Sequence, residues 1–149
     1  MRLKWFGTAA AAAALVVAAA APASASSQPP KVISEWKAAD AVFAKANEKW
    51  SAVIEQSNPS LSALQKAGAT FAPAISAFNS ALQKINFTGK AAADVSAVVT
   101  LQKQEVSIVR GIKSIKSFEA SFGPLVPKFV ALQTALGKDL GIPAAEIII

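Results

Sequence analysis

Cysteine, histidine and tyrosine are absent from this chain, and its single methionine is Met1. Each absence closes a class of chemistry. Without cysteine there is no disulfide framework, no thiolate metal site and no lipid-anchored N-terminal cysteine. Zinc takes Cys or His in nearly every known site, and neither is present. Haem needs an axial His, Met, Cys or Tyr, and a di-iron bundle needs Glu-x-x-His pairs. General acid–base work would fall to carboxylates and lysines, and the nine acids are scattered. No Gly-rich phosphate loop, G-x-S-x-G elbow or S-x-x-K motif in a plausible setting is present. The residue inventory therefore predicts a protein without cofactor or metal that is not an enzyme.

Charge is also sparse, at 16% of residues. The first 25 positions explain part of this. Met1-Arg2-Leu3-Lys4 is a short basic segment, Trp5 to Ala21 is uncharged and apolar, and small residues follow Pro22. Ala23 and Ala25 occupy the −3 and −1 positions of an A-x-A cleavage site, whose peptidase pocket admits only small side chains. The pattern predicts a signal peptide over 1–25, cut after Ala25 or, alternatively, after Ala23. No twin arginine is present, so the general secretion route is expected. The apolar run is short and alanine-rich for a span, which usually needs about 20 residues. The mature protein is expected to be secreted or in the cell envelope, and not transmembrane.

Loss of Arg2 and Lys4 takes the 15 basic residues to 13, against 9 acidic, a net charge of +4. Such an excess favours acidic surfaces weakly. It is spread along the chain, with no dense basic face carrying aromatics, so nucleic acid is not expected as a partner.

After a polar linker at 26–30, ending in Pro29-Pro30, the chain is organised by four apolar seams. The first is Trp36, Phe43 and Trp50 at heptad spacing, with Ala39, Ala46 and Val53 between and Lys37, Asp40, Lys45, Glu48 and Lys49 opposite. This is an amphipathic helix over 31–57. Asn58-Pro59 offers a cap and a first helical residue. A second helix at 59–86 then follows Leu61, Leu64, Gly68, Phe71, Ile75, Phe78, Leu82 and Ile85. Its phase is kept across Pro73, which predicts one bent helix rather than two.

Thr88 is the expected cap of a third helix, 89–113, whose line includes Val98, Leu101, Glu105, Ile108 and Ile112. A fourth, 117–140, runs through Phe118, Phe122, Leu125, Phe129, Leu132, Leu136 and Leu140, with irregularity expected near Pro124 and Pro127. Gly141 before Ile142-Pro143 is the order of a left-handed cap and stop. The tail 144–149, ending in three isoleucines, either packs on the bundle or is an exposed sticky end. Helices of similar length joined by short turns predict an all-α, antiparallel up-down-up-down four-helix bundle over 31–143.

Two local questions follow. Arg110, Lys113 and Lys116 gather at the end of the third helix, where the helix dipole favours cations without any ligand. Glu105 falls on the central apolar line, where an unpaired charge is very costly. It either turns to the seam's edge, is satisfied by a lysine or by an indole N–H of Trp36 or Trp50, or forms a buried polar contact that sets register or meets a ligand.

The segment Gly137-Lys138-Asp139-Leu140-Gly141-Ile142-Pro143 resembles the ending of a group of small exported actinobacterial proteins, which finish in an Asp-Leu-Gly-Leu-Pro-type motif. The resemblance implies a single exported helical bundle and supplies no activity. Many of those proteins are lipid-anchored, whereas this chain lacks the anchoring cysteine. The sequence is thus read as an exported non-catalytic bundle acting by contact with a protein partner or cell-envelope material. The alternative is a carrier or sensor of an apolar ligand or lipid, in a cavity opened by kinks at Pro73, Pro124 and Pro127.

Overall fold

The computed structural model describes residues 26–149 and is all-helical there, forming a four-helix bundle. The expected signal peptide, 1–25, lies outside the described residues. Helix α1 spans Pro30–Ile54, α2 Leu61–Leu82 and α3 Gly89–Arg110. The fourth position holds two segments, α4 (Ile115–Phe122) and α5 (Val126–Leu140), joined by a 3-10 turn at Gly123–Leu125. Pro124 and Pro127 account for that break, because a proline nitrogen has no hydrogen to donate to the preceding turn. Pro73, by contrast, leaves α2 unbroken. Ala69, whose carbonyl loses its bond, and Pro73 are both exposed, so water can take up the freed acceptor.

The aromatic seam of α1 is core. Trp36, Phe43 and Trp50 are buried, and each meets rings of α2 or beyond. Phe43 stacks on Phe78 at 4.5 Å and on Phe71 at 5.6 Å between ring centroids. Trp36 meets Phe78 edge-on at 5.9 Å, while Trp50 stacks on Phe71 at 5.4 Å and meets Phe118 edge-on at 5.8 Å. Offset and edge-to-face pairs of this kind add about 0.5–1.5 kcal/mol each beyond simple burial. Phe129 stays apart, in a smaller cluster with Leu101 and Leu125.

Helices α2 and α3 approach closely at Gly68, where a Cβ would come within 2.6 Å of the Val109 carbonyl oxygen. Glycine is required there by the backbone of the neighbouring helix. At the far end, Gly141 takes the left-handed conformation (φ 66°, ψ 30°) and ends α5, as its position before Ile142-Pro143 predicts. The Ile142 N–H closes the cap on the Gly137 carbonyl at 2.9 Å.

Two helix caps differ from the sequence reading in their bonding, and the fourth helix starts at Ile115 rather than at 117. The cap of α2 is Ser60, not Asn58. The Ser60 hydroxyl accepts from the Ala63 N–H at 3.1 Å, and Pro59 is buried just ahead of the helix. Thr88 holds the cap position of α3, yet its side chain makes no cap bond. Its backbone is instead paired with Gln28. The Thr88 N–H donates to Gln28 Oε1 at 3.0 Å, and Gln28 Nε2 donates to the Thr88 carbonyl at 3.1 Å. The short segment before α1 is therefore stitched to the bundle, and the Ser27 hydroxyl and N–H both donate to the Asp139 carbonyl.

The C-terminal tail also packs down. Ile147 is fully buried, Gln133 on α5 donates to its carbonyl at 2.7 Å, and the Ile148 N–H donates to Asp40 Oδ1 on α1 at 3.0 Å. Helices α1 and α5 pack less closely than the other neighbouring pairs, and the tail fills the seam between them. Burial pushes the Asp40 carboxyl up to about 6, against the opposing pull of the Ile148 N–H.

Candidate functional site

The structure places the three residues singled out from the sequence in different surroundings. Glu105 lies in the interior, 5% exposed, so it has not turned to the seam's edge. It makes no hydrogen bond and no ion pair with Trp36, Trp50 or any lysine. Leu101 and Ile108, about one turn to either side, pack in the cluster of Leu125 and Phe129 toward α5. Trp50 is instead engaged with Phe71, Phe118 and Phe122, and its buried indole N–H has no acceptor. The contact of an indole with Glu105, one of the alternatives read from the sequence, does not occur, because ring packing holds the tryptophans among the phenylalanines.

Loss of water around the Glu105 carboxyl raises its pKa to about 8, so at neutral pH it is mostly an uncharged acid. One turn earlier on α3, Gln102 is fully buried and neither atom of its amide is hydrogen-bonded. An unsatisfied buried polar group costs about 1–3 kcal/mol. This pair is a polar flaw in the core, and it offers no catalytic constellation. Among the described residues, no cluster of acids is placed to hold a metal ion.

A more accessible feature lies on the outer face of α1 and α2. Between Val42–Val53 of α1 and Ala63–Ala74 of α2 runs a groove of about 630 Å³. Small side chains create it: Ala46 on one wall and Ala63, Ala67 and Ala74 on the other leave the helices' facing surfaces unfilled. The stacked rings of Trp50 and Phe71 line it beneath. Lys45, Lys49 and Lys66 stand along it, all exposed, and no carboxylate lines it. The ion pairs of the described residues involve other lysines, Lys31 and Lys90. Val42, 74% exposed, marks one end.

Sequence reading missed this groove. Lys45 and Lys49 fall on the polar face of α1, where solvated lysines are ordinary, and alanines carry little periodic signal. The usable signal was the i, i+4 lysine pair beside an alanine stripe. Only the pairing of α1 with α2 brings Lys66 to the same slot.

No family model matches the chain, and no curated protein or solved structure matches it. Among the described residues, no helix is long and apolar enough to cross a membrane.

Proposed function

We propose that this is an exported, non-catalytic helical bundle that acts by contact with anionic cell-envelope material. The observation that carries the reading is the α1–α2 groove, with an apolar lining and three lysines free of carboxylate partners. Around it, the titratable groups form no acid–base pair poised for chemistry, and the buried carboxyl of Glu105 has no partner. The export signal at 1–25 and the resemblance of the Asp139–Pro143 ending to small exported actinobacterial proteins support the same location. The alternative of an internal cavity opened by proline kinks has less behind it. α2 is continuous through Pro73, and the groove opens on the surface, away from Pro124 and Pro127.

The test is fractionation of the producing cell, followed by mass spectrometry of the natively purified protein. The expected result is a chain beginning at Ser26, found outside the cytoplasmic membrane with envelope material attached. A chain retaining Met1 in the cytoplasmic fraction overturns the proposal.

A further inference from the structure

The geometry points to the α1–α2 groove as a binding site for a single-chain anionic amphiphile, one acyl or alkyl chain carrying a carboxylate or phosphate head. This rests on the envelope-contact reading and names the ligand of that surface.

Size selects the chain. The two walls, Val42 to Val53 and Ala63 to Ala74, each span about 16 Å at a rise of about 1.5 Å per residue. The groove of about 630 Å³ runs along that length, and an extended polymethylene chain can lie in it. The volume also falls within the range of about 300–1,000 Å³ usual for small-molecule sites.

The lining selects an apolar body. Four half-buried alanines offer methyl surface above the buried rings of Trp50 and Phe71, and covering it gains about 25 cal/mol per Å². Concavity matters as well. A bilayer surface is met by protruding apolar groups, and Val42 is the single exposed large hydrophobic residue among the described ones.

Charge selects the head. Lys45 and Lys49 stand one turn apart on α1, and Lys66 stands on α2. No carboxylate of the lining neutralises them, so their field favours an anion and disfavours a cation. Their long stems can lie along the slot's edge while the ammonium groups reach the head.

Isothermal titration of the purified protein with dodecanoate, dodecyl phosphate and dodecyltrimethylammonium, each below its micelle concentration, decides the matter. Both anions are expected to bind saturably at one per chain, at least tenfold more tightly than the cation. The triple variant Lys45→Glu, Lys49→Glu, Lys66→Glu alters exposed side chains only, and should lose that preference or reverse it. Ala67→Leu fills the slot and should weaken binding of every chain at least tenfold, with helical content unchanged. If that variant misfolds, Ala63→Leu serves in its place.

Equal affinity for anion and cation, or undiminished anion binding in the lysine variant, overturns the proposal. So does full binding by a folded slot-filled variant. Phosphatidylglycerol vesicles separate this failure from failure of the wider reading. Vesicle binding without saturable dodecanoate binding removes the groove ligand and leaves envelope contact standing. An envelope-free protein in the cell fractionation, with dodecanoate still bound in vitro, does the reverse.

Discussion

The two sides of this bundle are built to different rules. Where α1 meets α2, the interior is made of rings: Trp36, Phe43 and Trp50 interlock with Phe71 and Phe78. Where α3 meets α5, Leu101, Leu125 and Phe129 form a smaller cluster, and α3 also buries Gln102 and Glu105. Both surfaces exclude water. Only the first is free of charge-bearing groups; the loose polar atoms on its two helices are the indole N–H of Trp50 and the Oδ1 of Asn79. The difference shows that burial alone does not measure stabilisation. An equal area can secure the fold or tax it, depending on whether polar atoms inside it have partners.

The comparison can be broken from its strong side first. Phe43→Ala removes a ring stacked against two others, and should destabilise by about 4 kcal/mol in urea unfolding. Phe129→Ala, in the smaller cluster, should cost clearly less. Equal losses would mean that the two sides are energetically alike.

Glu105→Gln tests the weak side through pH. The folded-state pKa of about 8 lies above the ordinary value of 4.5, so the native state binds more protons than the unfolded state between those values. Stability from this group is therefore complete below pH 4.5 and is lost as pH rises through 8. Its share of the slope is at most about 1.4 kcal/mol per pH unit. The variant should lose this slope between pH 5 and 8 in chemical denaturation. An unchanged slope would show that Glu105 is solvated in solution.

Gly68→Ala probes the joint between the sides. Crowding of the Val109 carbonyl costs about 1–3 kcal/mol, while the gain in helix propensity is below about 1 kcal/mol. A net loss of about 1 kcal/mol in thermal unfolding is expected. A gain would mean that α2 and α3 separate freely.

The smallest effect is local. Asp40→Ala removes the acceptor of the Ile148 N–H, and amide exchange at Ile148 should quicken by about tenfold, the equivalent of roughly 1.4 kcal/mol. Global stability should move far less.

Periodicity made the helices legible before any coordinates, because a bundle core imposes its 3.6-residue rhythm on each segment independently. The burial of Glu105 could be read in the same way, from its place between Leu101 and Ile108. Its isolation from the indoles could not. That depends on how Trp50 turns among Phe71, Phe118 and Phe122, a choice made only when helices meet. The α2 cap was misplaced by two residues because Asn58 and Ser60 are both good caps, and the hydrogen bond to Ala63 decides between them. Gln28 gave no signal at all. Its partner, Thr88, is distant in sequence, and a lone amide before Pro29-Pro30 has no period to betray it.

The stitching of Gln28 to Thr88, and of Ser27 to Asp139, fixes a direction. The starts of α1 and α3 and the end of α5 share one pole of the bundle, and the described chain enters there. The groove occupies the later half of α1 and the earlier half of α2, toward the opposite pole. Anything fused upstream of Ser26 thus holds the molecule by its base and presents the lysine-rimmed slot outward. An immobilised protein is best tethered from that end, since the attachment itself then leaves the slot facing the solution.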